Sequence, residues 1–342
     1  MVRVVTFGEI MLRLKPVGFE RFLQSPFFEA TFGGGEANVA VGLGKLGVSV
    51  RYVTCLPPNP IGDACIAELN KHGVDTSFIV RRGERIGIYY LEVGANQRPS
   101  RVIYDRANSS IATAKPGDIN WDDVFKDATW FHLTGITPAI SESAAELSAE
   151  ALKKAKQHEL AVSIDLNYRK KLWRWGKSAS EVMRELLVYA DYAIGNEEDC
   201  QQSLGIKVEV DVDSGELDIK QYEKLTEMVM KEYRNLRGVG ITLRESISAS
   251  HNRWSAVLRT REKFYVSKKH DITHIVDRVG SGDAFACGLI YGLNYLNDER
   301  EALEFAVAES CLKHTIPGDF PLITFDEVNA LMKGGGSGRV QR

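Results

Sequence analysis

The sequence predicts an α/β protein built on a doubly wound, mostly parallel sheet flanked by helices. Three observations predict it. Short apolar runs at 2–10, 51–55, 130–133, 161–166, 190–194 and 239–243 have the length and composition of buried strands. Segments with apolar residues at helical spacing alternate with them, and such alternation implies parallel strands with helices on both faces. The 342 residues are 44% hydrophobic and 26% charged. These are ordinary values for a globular chain long enough to bury a large core unaided.

The run at 2–10 reads as the first strand, and 36–46 as a helix that follows a glycine run. A strand at 51–55 and a helix at 61–72 come next. Two segments, 9–32 and 86–107, break this rhythm. They read as extended, with β-rich runs such as Ile88-Tyr89-Tyr90-Leu91 and Arg101-Val102-Ile103-Tyr104. Either they form a small sheet that projects from the core as a lid, which is the reading adopted, or they are a pair of surface hairpins. Residues 130–133 read as a strand. Residues 141–158 read as a helix whose apolar stripe is Ala145, Leu147, Leu152 and Ala155. The strand at 161–166 ends in polar residues, and 190–194 and 239–243 repeat that pattern. Ligands of such sheets lie beyond the carboxyl ends of the strands. Residues 207–220 are acidic without helical periodicity and read as a surface insertion. Residues 1–333 are read as one domain, and the Gly-rich 334–342 as a flexible tail.

Lys+Arg number 43 against 46 Asp+Glu, a net charge of −3. That argues against a nucleic-acid partner bound through bulk basicity but leaves room for a local basic pocket. The five cysteines are scattered, with no C-x-x-C pair, and read as reduced buried thiols. Neither they nor the seven histidines have metal-ligand spacing, so no zinc site is expected. No apolar run approaches the ~20 residues of a membrane span. The first fifteen residues are interrupted by Arg3, Glu9 and Arg13 and lack signal-peptide architecture. A cytoplasmic protein with no membrane partner is the expectation.

Two motifs carry chemistry. In Asp277-Arg278-Val279-Gly280-Ser281-Gly282-Asp283-Ala284, small residues open an apolar helix. Their exposed backbone N–H groups and the helix dipole make an anion site. Asp283 in the first turn is either a helix cap or a base that takes a proton from a hydroxyl while the amides hold phosphoryl charge. The second motif is Gly33-Gly34-Gly35-Glu36-Ala37-Asn38. It either lets a ligand approach the backbone closely or is a tight loop before a helix. It does not fit G-x-G-x-x-G, which weighs against a nicotinamide-dependent oxidoreductase.

Together, in this order and separation, the two motifs resemble the signatures of the ribokinase-like (PfkB) carbohydrate kinases, over nearly the whole chain. The resemblance implies a doubly wound core with a β-sheet lid. It also implies transfer of the γ-phosphoryl of ATP, with Mg2+, to a sugar or nucleoside hydroxyl. On it, Asp283 is the catalytic base, Gly280, Ser281 and Gly282 form the anion hole, and Gly34 and Asn38 lie in the sugar-side loop. Catalysis would then rest on positioning and electrostatics.

The runs Gly8-Glu9-Ile10-Met11-Leu12-Arg13-Leu14, Gly35-Glu36-Ala37-Asn38, 165–173 and Leu312-Lys313-His314-Thr315-Ile316-Pro317-Gly318-Asp319 look like the 2-keto-3-deoxygluconate kinases of that family. The implied reaction is ATP-dependent phosphorylation of the terminal hydroxyl of 2-keto-3-deoxygluconate to 2-keto-3-deoxy-6-phosphogluconate. Residue chemistry points the same way: Arg106 follows a lid strand and Arg169 a core strand. Two guanidiniums converging on a pocket suit a carboxylate; the other reading is a pair of surface salt bridges. Gly34, Tyr89, Tyr104, Arg106 and Arg169 are thus the implied substrate residues. Asp319 lies in a Pro-Gly-Asp run that is either a substrate-side loop or a plain turn.

On the nucleotide side, Asn196-Glu197-Glu198-Asp199 resembles the family's N-x-x-E element. Asp replaces Glu at its fourth position; Asn196 and Asp199 would organise Mg2+ through water. Thr242-Leu243-Arg244-Glu245-Ser246 stands where the family has a glycine-containing adenine loop, so Thr242 and Arg244 are assigned to phosphates. Asn167, Gly280 and Gly282 complete the nucleotide set. The expected partners are a sugar acid and a second copy of the chain, paired through the lid edges. The alternatives are a kinase for a neutral sugar such as fructose or ribose, and a non-catalytic sugar sensor on the same fold.

Overall fold

Each apolar run read as a strand overlaps one in the computed structural model, which describes residues 2–207 and 219–334. In chain order the strands are β1 (Arg3–Phe7), β2 (Met11–Pro16), β3 (Phe28–Gly33), β4 (Ser49–Val53), β5 (Cys55–Leu56), β6 (Val80–Arg81), β7 (Gly87–Glu92), β8 (Arg101–Asp105), β9 (Trp130–Thr134), β10 (Ala161–Asp165), β11 (Tyr192–Gly195), β12 (Gly238–Ser248), β13 (His251–Thr260), β14 (Phe264–Val266) and β15 (His270–Ile272). The helices are α1 (Gly35–Lys45), α2 (Pro60–Lys71), α3 (Trp121–Val124), α4 (Ile136–Ile140), α5 (Glu142–Gln157), α6 (Ala179–Leu187), α7 (Glu197–Asp199), α8 (Ile219–Glu232), α9 (Ser281–Tyr295), α10 (Glu299–Lys313) and α11 (Phe325–Met332).

The large sheet has the order β14-β13-β12-β11-β10-β9-β1-β4, with β15 paired to β13. From β12 to β4 every pairing is parallel. All five residues of β9 are buried, as a strand covered on both faces requires. One face is covered by α3, α5, α6 and α8, the other by α1, α2, α9, α10 and α11. The sheet turns antiparallel beyond β12. Only Ala249 and Ser250 separate β12 from β13, too short a link for the crossover that a parallel neighbour needs. The apolar pattern ended at 243 because the second half of β12 runs polar and partly exposed.

Local chemistry sets the helix boundaries. Ser141 accepts a hydrogen bond from Ala144 N and starts α5, whose buried face is Ala144, Ala145, Leu147, Ser148, Ala151, Leu152 and Ala155. Such a cap contributes about 1 kcal/mol. Asn59 caps α2, with Pro60 in its first turn.

The lid is a four-stranded sheet of order β3-β2-β7-β8 with its own apolar cluster at Met11, Tyr89 and Leu91. The five cysteines are unpaired thiols, four of them buried. Among the described residues no helix is long and apolar enough to cross a membrane. The acidic insertion falls outside the described residues apart from its ends at Lys207 and 219–220. So does the tail beyond Gly334.

Helices α9 and α10 press together so closely that a Cβ on Gly288 would lie 2.7 Å from Glu309 Oε2. Glu309 has no exposed surface, and burial pushes its carboxyl up to about 8 from an ordinary 4.5. The folded state therefore holds an extra proton between those values and loses stability as pH rises through that window. The Tm of Glu309→Gln minus that of the wild type should rise from about pH 5 to about pH 8. A pH-independent difference in thermal melts would show that Glu309 titrates normally.

Candidate active site

The carboxyl ends of β9 to β12 and the amino end of α9 open onto one cleft of about 730 Å³. Met11, Tyr89, Val102 and Tyr104 line it from the lid. This is where a doubly wound sheet places its ligands.

At the centre is the first turn of α9. Gly280 precedes the helix in the left-handed region, at φ 85, and a Cβ there would lie 2.1 Å from Asp319 O. Only glycine fits. The backbone N–H groups of 280–282 thus begin a fifteen-residue helix at the cleft wall. Asp283 follows within the same turn and also lines the cleft. Asn38 Nδ2 donates to Asp283 Oδ2 at 2.6 Å, while Asn38 Oδ1 accepts from Gly34 N at 3.2 Å. Burial pushes Asp283 up to about 6; the Asn38 bond, Arg169 and Lys313 oppose that rise. Asp283 is thus a candidate base that ionises just below neutrality. It makes no side-chain cap on α9. Asn38, read from sequence as part of the sugar-side loop, lines the cleft and holds this carboxylate. Gly34 is fixed by a close approach: a Cβ there would lie 2.0 Å from Glu9 O.

On the acceptor side, Gly34, Tyr89, Tyr104 and Arg169 all line the cleft. Arg106 does not, which corrects its sequence assignment. Its guanidinium is ion-paired with Glu9 and lies 5.3 Å from the Tyr104 ring centroid. The reason is electrostatic: Glu9 is buried and needs a counter-charge, with Ser109 Oγ donating to its other oxygen at 2.6 Å. Asp319 reaches the cleft wall but is 4% exposed, accepting from Arg13 Nη1 at 2.6 Å and Tyr89 Oη at 2.6 Å. Asp319 and the Tyr89 hydroxyl therefore join lid to core at the cleft wall. Arg13 completes the join by donating to Asp277.

Asn167, Asn196, Thr242 and Arg244, assigned to the nucleotide from sequence, line the cleft. Asn196 caps α7 and shares a capping box with Asp199. Both Asp199 oxygens accept backbone N–H groups, from Tyr168 at 2.7 Å and Asn196 at 2.9 Å, and burial pushes its carboxyl up to about 6. Sequence reasoning missed two further residues here. Arg278 donates to Ser248 O and Ala249 O and faces Arg244, whose charge adds to burial in lowering its pKa. Asp165, at the end of β10, is held well above the usual carboxylate range by burial and by the charges of Asp199 and Asp283. Its signal was present: an acid closing an apolar strand whose carboxyl end must face the ligand.

Among the described residues no group of three metal-type ligands converges. The donor set nevertheless fits Mg2+, which takes one or two carboxylates and completes its shell with water and phosphate oxygens. The Asp199 charge raises the proton affinity of Asp165 in the cleft wall, a repulsion that a divalent cation would relieve.

Residues 1–242 match the pfkB family of carbohydrate kinases. A Haloferax volcanii protein named 2-dehydro-3-deoxygalactonokinase is 32% identical over 98% of this chain and 98% of its own. A Bacillus subtilis 2-dehydro-3-deoxygluconokinase is 25% identical over 92% of this chain and 90% of its own. The crystal structure of a Thermotoga maritima 2-dehydro-3-deoxygluconokinase, 47% identical, superposes with a TM-score of 0.92 over 98% of this chain and all of that one.

Proposed function

The chain belongs to the pfkB family of carbohydrate kinases, and we propose on that premise that it transfers the γ-phosphoryl of ATP to the terminal hydroxyl of a 2-keto-3-deoxy sugar acid, with 2-keto-3-deoxygluconate as the first substrate. The observation that carries the reading is Asp283, held by Asn38 at the amino end of α9 within the cleft.

The ionised Asp283 takes the proton of the acceptor hydroxyl as that oxygen attacks phosphorus. The amides of Gly280, Ser281 and Gly282 receive the charge on the transferring group. Arg244, Arg278, Thr242, Asn167 and Asn196 hold the nucleotide along the far wall. Asp165 and Asp199 would hold Mg2+, which would supply neutralisation of phosphate charge when bound. Tyr89 and Tyr104 bound the acceptor end from the lid.

Arg169 is assigned to the substrate carboxylate. It is exposed within the cleft, its own contact being Nη1 to Tyr168 O at 2.8 Å. Charged hydrogen bonds contribute about 1.5–3 kcal/mol each. At about 1.4 kcal/mol per tenfold, Arg169→Ala should lower kcat/KM for the ketodeoxy acid at least tenfold while changing a neutral sugar less. An unchanged kcat/KM in steady-state assays would remove Arg169 from the carboxylate.

A coupled ADP-release assay with ATP and Mg2+ tests the whole reading. It compares 2-keto-3-deoxygluconate, its galactonate epimer, fructose, ribose and gluconate at equal concentration. Preference for either ketodeoxy acid supports it. A neutral-sugar kinase is the second reading, favoured by the pairing of Arg106 with Glu9, which leaves one arginine at the acceptor end of the cleft where two were expected. Preference for fructose or ribose would establish that alternative.

We also infer self-association through the lid. Its outer surface exposes Phe19, Leu23, Phe27 and Ile103 beside the edge strands β3 and β8, the arrangement that a second copy would cover.

A further inference from the structure

Phosphoryl transfer brings negative charge to a wall that already carries carboxylates. The chain places a buried cation behind that wall. Lys313, the last residue of α10, has no exposed surface. Its ammonium donates to Ile316 O at 3.1 Å and reaches Asp277 O at 3.5 Å. Both partners are main-chain carbonyls. Asp277 stands three residues before Gly280, and Ile316 three before Asp319, whose carbonyl packs against Gly280. One ammonium thus ties together the two loops that fix the start of α9.

The charges around it come from four elements. Arg13 faces it from β2, Asp277 from the segment before α9, Asp283 from α9 and Asp319 from the loop after α10. On its own helix and just beyond, Glu309 and His314 are neutral near pH 7. Burial holds the first up at about 8 and the second down at about 4. Arg13 is already bonded to both Asp277 and Asp319. Three carboxylates then stand against two cations in the interior, and the buried cation left for Asp283 is Lys313, with Arg169 acting on it from the cleft.

We propose that Lys313 is a positioning residue of the transfer, tying the Asp277 and Ile316 loops beneath the anion hole and setting a fixed positive charge behind Asp283. This rests on the kinase reading above. The charge acts through a water-excluded interior, where it is felt far more strongly than across solvent. It is among the groups that oppose the burial-driven rise of Asp283. A neutral side chain of the same length would keep the packing, lose the charge and leave two carbonyls without a donor.

The test is Lys313→Met, read in two ways. A 13C-carboxylate NMR titration needs no substrate: the Asp283 midpoint should move up by about one unit or more. In steady-state assays kcat should fall at least about tenfold with both KM values little changed, and the acid limb of the pH profile should follow the titration. In Lys313→Ala, methylammonium should restore turnover and tetramethylammonium should not. An unshifted Asp283 titration with wild-type kcat would make Lys313 a packing residue and overturn the proposal. If Lys313→Met does not fold, Lys313→Ala refolded with methylammonium carries the same readouts. Full activity of the alanine variant without the amine would equally overturn the proposal. If the wild type phosphorylates no acceptor, the kinase reading fails, and the titration still decides whether Lys313 couples to Asp283.

Discussion

Asp283→Asn folds, binds nucleotide and loses about 10²–10⁴ of kcat, the usual contribution of a positioned general base. The amide keeps the shape of the carboxylate and can still bond Asn38, but it cannot take a proton. Asp199 and Asp319 do not replace it. Asp199 has both oxygens on backbone amides, and Asp319 is tied to Arg13 and Tyr89. The pH dependence has a definite sign. Asp283 is held up at about 6 by burial, and only its ionised form acts as base, so kcat/KM falls as pH drops through that value. Asp283→Asn should abolish that acid limb along with the rate. A variant that keeps turnover within threefold of the wild type, about 0.7 kcal/mol, would sink the assignment. Loss of nucleotide binding as well would instead make Asp283 a binding residue.

The parts legible from sequence are those whose physics is local. Small residues followed by an acid at a helix start declare an anion site, and the alternation of strands and helices declares the sheet. The cleft therefore gathers Gly34, Tyr104, Asn167, Asn196, Thr242, Arg244, Gly280 and Asp283 as the motifs suggested. What failed was the partner of each charge. Arg106 follows a lid strand in the sequence, but whether it faces ligand or protein depends on the buried Glu9 nearly a hundred positions away. Nothing in the glycine run shows that the Asn38 amide bonds Asp283, 245 positions later. Arg13 and Lys313 gave no signal beyond a charge within apolar text, since their partners are brought to them only by folding.

Arg13 shows what that blindness conceals. It is 1% exposed on the lid strand β2, and its partners Asp277 and Asp319 lie 264 and 306 positions further along. No local pattern predicts such a pair. Arg13→Met fills the same space but leaves two buried carboxylates without their cation, a loss of about 3–5 kcal/mol. At about 2–4 °C per kcal/mol, Tm falls by roughly 6–20 °C. The deficit also varies with pH. Burial already raises the Asp319 carboxyl against the pull of Arg13; without the guanidinium it binds its proton more tightly in the folded state than in the unfolded chain, so the variant loses stability as pH rises above the ordinary carboxylate range. The gap to the wild type should widen from about pH 4 toward neutrality, and Arg13→Met/Asp319→Asn should recover part of it because one orphaned charge is gone. Since the same arginine anchors Asp319, which holds Tyr89, the single variant should also raise KM for the acceptor more than for ATP. A small, pH-independent change in Tm with an unaltered acceptor KM would show that the lid is held by its apolar contacts, with Arg13 contributing little.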